Sequence, residues 1–224
     1  MRIGRPDAVP YYLRTGNEVL KVLVACEFSG VVRDAFAARG HDAWSCDLLE
    51  TEQPGNHLQC DVREVLSNGW DLMIAHPPCT HLTRAAARWM RERLPEMEAA
   101  IEFVRTLLFA PIPRIALENP AGVLTRSIRP PDQYIEPWQF GHGETKKTGL
   151  WLVGLPFLRV TDVVDGRAPR VHYAAPGPNR WKERSRTLPG IANAMADQWG
   201  DPDKYKWAAD WQRPEHTSTV SAEK

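Results

Sequence analysis

The chain has 224 residues, 43% hydrophobic and 25% charged, a composition that can bury a core and argues against wholesale disorder. Lys plus Arg and Asp plus Glu both number 28, so net charge supplies no general attraction to nucleic acid or membrane, and any such partner must be held by a local patch. Cys26, Cys46, Cys60 and Cys79 form no CxxC pair, and neither an 18-residue apolar run nor a signal-like N-terminus is present; a soluble cytoplasmic protein in a reducing compartment is expected.

Residues 1–18 are polar and carry Pro6 and Pro10, which predicts an N-terminal extension to a domain over residues 19–200. Val19 to Cys26 is a valine-rich apolar run, the pattern of a strand buried on both faces. Glu27, Phe28, Ser29 and Gly30 predict a turn, and Val31 to Arg39 a helix stopped by Gly40. Strands follow at Asp42 to Cys46, ending at Asp47, and at His57 to Cys60, ending at Asp61. A fourth, Trp70 to Ala75, runs into the loop HPPCTHLT. Glu96 to Phe109 has helical periodicity, and Arg114 to Leu117 predicts a fifth strand ending at Glu118. This alternation argues for an α/β fold with a parallel sheet covered on both faces. Beyond Pro120 the pattern weakens, and 13 of the 19 prolines fall from Pro111 onward. Tyr134 to Phe140 and Gly149 to Gly154 predict two further strands, Ile191 to Trp199 a closing helix, and residues 201–224 a peripheral tail.

Ligands of a parallel α/β sheet sit at the carboxyl ends of its strands. The turn Glu27 to Gly30 stands there and could bring backbone N–H groups to an anionic group. Asp47 and Asp61 could accept hydrogen bonds from hydroxyl or amino groups, or could cap helices. Cys79 follows Pro77 and Pro78, which present its thiol in a loop, whereas Cys26, Cys46 and Cys60 lie in or beside apolar strands and read as inert. His76, Cys79 and His81 invite a zinc reading, but a deaminase site needs a second cysteine three residues on, where Leu82 stands. No metal is expected. Glu118 is either a structural cap or an acid facing the cleft, and burial by its apolar strand is expected to raise its pKa.

In this order the pieces resemble the DNA cytosine-5 methyltransferases, specifically short phage-type forms without a separate target recognition domain, over roughly Val22 to Gly154. The resemblance implies a Rossmann-like S-adenosylmethionine-dependent methyltransferase fold, with a mostly parallel sheet and helices on both faces. It implies that Glu27, Phe28, Ser29 and Gly30 cradle S-adenosylmethionine with Phe28 against the adenine, that Asp47 holds the ribose, that Asp61 meets the adenine amino group, and that Pro77 lies beside the cofactor. Pro78-Cys79 matches the family's Pro-Cys dipeptide and Glu118-Asn119 its Glu-Asn. Cys79 would then add to cytosine C6, Glu118 would engage N3, and Asn119 would fix the loop. The base would be flipped from duplex DNA or already single-stranded.

The family's Arg-x-Arg contact is not spelled out where it belongs. By position Lys146 or Lys147 would substitute, and Arg184-Ser-Arg186 has the spelling but stands later. Between Phe140 and Leu188 nine Lys or Arg face four acids, and Arg84, Arg88, Arg91 and Arg93 add a second basic segment, which supports DNA as partner. The rival readings are an exocyclic-amine (N4-cytosine or N6-adenine) methyltransferase, whose Asn/Asp-Pro-Pro-aromatic loop His76-Pro-Pro-Cys79 only half matches, and a catalytically silent nucleic-acid-binding protein.

Overall fold

The computed structural model describes residues 19–83, 93–120, 122–171, 173, 176–178 and 180–201. Among them one sheet is built from β1 (Lys21–Ala25), β2 (Asp42–Asp47), β3 (His57–Gln59), β4 (Leu72–Ala75), β5 (Ile115–Pro120), β6 (Gln133–Ile135) and β7 (Thr148–Val153). Their spatial order is β3-β2-β1-β4-β5-β7-β6. β1 to β5 pair in parallel, and β7 lies antiparallel between β5 and β6. The fold is therefore Rossmann-like α/β with a mostly parallel sheet. Its topological switch lies between β1 and β4, where the chain departs first to one side and then to the other.

Alternation along β1 shows why the sheet is covered twice. Val22 and Val24 face a core with Val32 and Phe36 of α1 (Val31–Ala37) and Ile191 and Met195 of a C-terminal helix, Pro189–Trp199. Leu23 and Ala25 face a second core with Ile101, Val104 and Leu107 of α2 (Leu94–Leu108). A strand with both faces occupied can carry no polar alternation, and β4 is accordingly buried at every position. Two short helices complete the order, α3 (Leu124–Ser127) and α4 (Arg180–Ser185), so the C-terminal helix is α5.

Several boundaries differ from those expected. β1 stops at Ala25 because Cys26 takes a left-handed backbone, φ 59°. The strand expected over Tyr134 to Phe140 is only β6; Pro137, with fixed φ and no N–H, opens a 3-10 turn at Pro137–Gln139 instead. β5 runs two residues beyond Glu118, where β7 pairs with it. α4 falls in a segment that sequence patterning leaves as loop. The N-terminal extension, residues 202–224 of the tail, and Arg84, Arg88 and Arg91 lie outside the described residues. No helix among the described residues is long and apolar enough to cross a membrane.

Candidate active site

The turn after β1 is closed upon itself. Glu27 is buried, and its carboxylate accepts from the N–H of Val32 at 2.7 Å, the N–H of Arg33 at 3.2 Å and the Ser29 hydroxyl at 3.1 Å. Ser29 Oγ accepts from Val31, and the Gly30 carbonyl from Asp34. The first N–H groups of α1 are thus satisfied within the chain, because an acid two residues before Ser29 supplies the negative charge at this helix terminus itself. Gly30 is required in this turn, since its φ is +77° and an added Cβ would lie 2.5 Å from Arg33 Nη2.

Arg33, unmarked by any motif, is 1% exposed. Its guanidinium donates to Ser45 Oγ, Thr51 Oγ1 and the carbonyls of Gln53 and Pro54, and pairs with Asp34 at 2.8 Å. It therefore pins the loop after β2 against the first turn.

The Cys79 loop is anchored to the segment after β5 at two points. Asn119 Nδ2 donates to the Pro77 carbonyl at 2.9 Å, and Val123 N–H to the Leu82 carbonyl at 2.9 Å, beside a bridge between Thr83 and Gly122. Gly122 permits this approach: a Cβ there would stand 2.1 Å from Leu82 O. Between the anchors Pro78 and Thr80 are exposed and Cys79 is half-buried, so the thiol is held by its neighbours rather than packed into a core.

The parallel register Ala75↔Leu117 sets the next residues, His76 and Glu118, side by side. His76 Nδ1 lies 3.2 Å from Glu118 Oε2, their side chains 12% and 10% exposed. Desolvation disfavours a charged imidazole, but the Glu118 carboxylate, with Glu27 behind it, outweighs that and the repulsion of Lys146, and His76 is raised above the ordinary histidine value. Desolvation disfavours the Glu118 carboxylate too, yet His76, Lys146 and Thr187 hold it below the ordinary glutamate value. The expected upward shift of Glu118 is thus reversed, because burial acts here together with a facing cation. His76 Nε2 and Asn119 Oδ1 are buried without a hydrogen-bond partner. Two unpartnered polar atoms beside the His76–Glu118 pair could meet a polar ligand.

At the other strand ends, Asp47 is half-buried and its Oδ1 accepts from Leu49 N–H at 3.0 Å; burial pushes its carboxyl up. Asp61 caps a 3-10 turn, Val62–Glu64, and grips the Arg63 guanidinium, both oxygens 3.0 Å from Nε. Those bonds hold its carboxyl down at about 2. Here the capping alternative describes what the side chain does. Burial pushes the thiols of Cys26 and Cys46 up, and Cys46 Sγ lies 3.8 Å from Cys60 Sγ.

The basic candidates separate. Lys146 is half-buried and acts on both His76 and Glu118, whereas Lys147 is exposed, its Nζ 4.4 Å from the Tyr134 ring centroid. Arg186 is tied to Glu52 at 2.6 Å, and Arg184 is exposed on α4. α4 crosses the turn after β1: Trp181 stands 5.7 Å from Phe28, and Lys182 Nζ 5.5 Å from the same ring. Arg33 is the position that sequence reasoning missed as part of this site, and it carried no motif. His76, weighed above as a metal ligand, stands instead against Glu118.

These features define a Rossmann-like protein with a cluster of polar and acidic side chains at the carboxyl ends of its strands. No family model matches the chain, and no curated protein does. Among solved structures it is similar to a protein described as a DNA modification methyltransferase encoded within an E. coli prophage, at 13% identity and TM-score 0.44, covering 70% of this chain and 55% of that one. It is also similar to the Entamoeba histolytica methyltransferase EhMeth, at 12% identity and TM-score 0.46, covering 73% and 62%. The chain spans less than two thirds of either, and likeness at this level assigns no activity.

Proposed function

We propose that the protein transfers a methyl group from S-adenosylmethionine to C5 of cytosine in DNA, with Cys79 as nucleophile. The observation that carries this reading is the Asn119–Pro77 bond, which ties the loop of a half-buried cysteine to a strand end bearing Glu118, beside two buried polar atoms without partners, His76 Nε2 and Asn119 Oδ1. Cytosine offers N3 and the exocyclic amine as partners for such atoms, and its C6 is the electrophile a cysteine needs. Lys146, close enough to bias both His76 and Glu118, takes the place of the missing arginine contact.

The residues at β1 and β2 fit the cofactor in part. The Phe28 ring and the Asp47 carboxylate, pushed up by burial and so in want of a donor, would hold its adenosyl group; the Asp61 side chain, already bound to Arg63, would give way to do so. The cofactor would supply the electrophilic methyl. Cys79 would bond to C6 as the C5=C6 pair moves to C4=C5 and the C4=N3 pair to N3, which takes up a proton beside Glu118. As the C4=C5 pair alkylates C5, the N3 pair would restore C4=N3 and N3 would release its proton; the C5 proton is then lost to water, C5=C6 re-forms and Cys79 leaves as thiolate.

Mass spectrometry of nucleosides from cells with and without the protein tests this reading. New 5-methylcytosine that disappears with Cys79→Ser is expected. N4-methylcytosine or N6-methyladenine would replace it with the exocyclic-amine reading, and unmodified DNA bound by the purified protein with a silent binding role. Residues 155–184 are too few to fold as an independent reading domain, so modification by this chain acting alone is expected in a context of about one to three bases, the reach of a few bidentate contacts.

A further inference from the structure

We propose that His76 is a positioning residue that supplies protons through Glu118, so that the two side chains act as a relay to cytosine N3. The proposal rests on the cytosine reading and answers a difficulty within it. Glu118 is held as a carboxylate by His76, Lys146 and Thr187, and a carboxylate has no proton to give to N3 as charge builds there.

The geometry places a donor behind it. His76 Nδ1 is 3.2 Å from Glu118 Oε2 on the neighbouring parallel strand. The charged groups acting on the imidazole are Glu118 from β5, Glu27 from the turn after β1 and Lys146 from the approach to β7; the two acids outweigh burial and the lysine, so the ring holds its proton above the ordinary histidine value. A histidine serving only the core would have both nitrogens satisfied, yet His76 Nε2 is buried with no partner, as is Asn119 Oδ1 beside Glu118. The site is thus incomplete on the side where a base would enter.

In the relay, the Cys79 sulfur bonds to C6 and the displaced pair reaches N3. The Nδ1 proton crosses to Glu118 and on to N3, leaving Glu118 a carboxylate again and His76 neutral. Once C5 is alkylated, the N3 pair restores N3=C4 and the proton returns by the same path. His76 must start protonated, so the rate falls as pH rises through its raised value.

The test is single-turnover methyl transfer to cytosine-containing duplex DNA by the full chain, across the range in which histidine titrates, for the parent, His76→Asn and Glu118→Gln. The parent should lose rate on the alkaline side. His76→Asn should be slower by about 100-fold, the lower end of general-acid contributions, and lack that limb while keeping parental S-adenosylmethionine affinity. A parental rate and limb in His76→Asn would overturn the relay. If that variant does not fold, Glu118→Gln decides, since a limb that survives there cannot pass through Glu118. DNA containing 5-fluorocytosine separates the two levels. No Cys79 adduct in the parent overturns the cytosine reading and the relay with it, whereas an adduct with an unchanged His76→Asn profile overturns the relay alone.

Discussion

Asn119 donates from its buried side-chain nitrogen to the carbonyl of Pro77, 2.9 Å away and 42 residues earlier in the chain. The bond passes from β5 to the loop after β4, so the residue beside Glu118 also holds the double-proline segment that carries Cys79. The acid and the thiol therefore lie on segments that are tied to each other rather than on two independent loops.

Asn119→Ala breaks that contact and strands the Pro77 carbonyl, at a stability cost of about 1 to 3 kcal/mol. Methyl transfer should fall further, by roughly 100-fold, because a displacement of about 1 Å at a reacting group costs that much. S-adenosylmethionine affinity should be parental by calorimetry. A variant as active as its parent would show that the loop is held by other means.

Asp47→Ala and Phe28→Ala should each weaken S-adenosylmethionine binding, the former by about 1 to 3 kcal/mol for a lost buried hydrogen bond. Parental affinity in both, again by calorimetry, would place the cofactor away from β1 and β2.

Arg33→Met should destabilise the fold by about 3 kcal/mol or more, since it strips a buried network from one partner. The guanidinium it removes serves Ser45, Thr51, Gln53 and Pro54 together. Urea denaturation should show a lowered midpoint with little change in slope. A midpoint equal to that of the parent would mean that the loop after β2 needs no anchor.

Acid sensitivity should carry a component from Asp61. Its carboxyl titrates at about 2 in the folded state, held below the ordinary aspartate range by the Arg63 guanidinium. The folded state therefore binds this proton less tightly than the unfolded chain, and the stabilising contribution is complete above the unfolded value and lost as pH falls through about 2. Asp61→Asn should flatten that part of the stability profile in melts at successive pH values. An unchanged acid limb in the variant would contradict the Asp61–Arg63 pairing.

The βαβ frame was legible in the chain because apolar periodicity is a local property. Val19 to Cys26 and Trp70 to Ala75 have few polar groups to expose, so they had to become strands buried on both faces. The order of polar residues at their ends followed from that frame, and with it the neighbourhood of Glu118, Asn119 and Cys79. Pairing partners were not legible in this way. Lys146 and Lys147 are adjacent and chemically alike, yet only the approach to β7, an antiparallel strand inserted between β5 and β6, turns one toward Glu118 and leaves the other at Tyr134. Arg186 has the spelling of a base contact and instead meets Glu52, 134 residues away. Burial of Glu118 could be inferred from its strand, but the sign of its charge balance could not. That depends on a histidine delivered by the neighbouring strand, and Coulomb interactions are set by distance in space rather than along the chain.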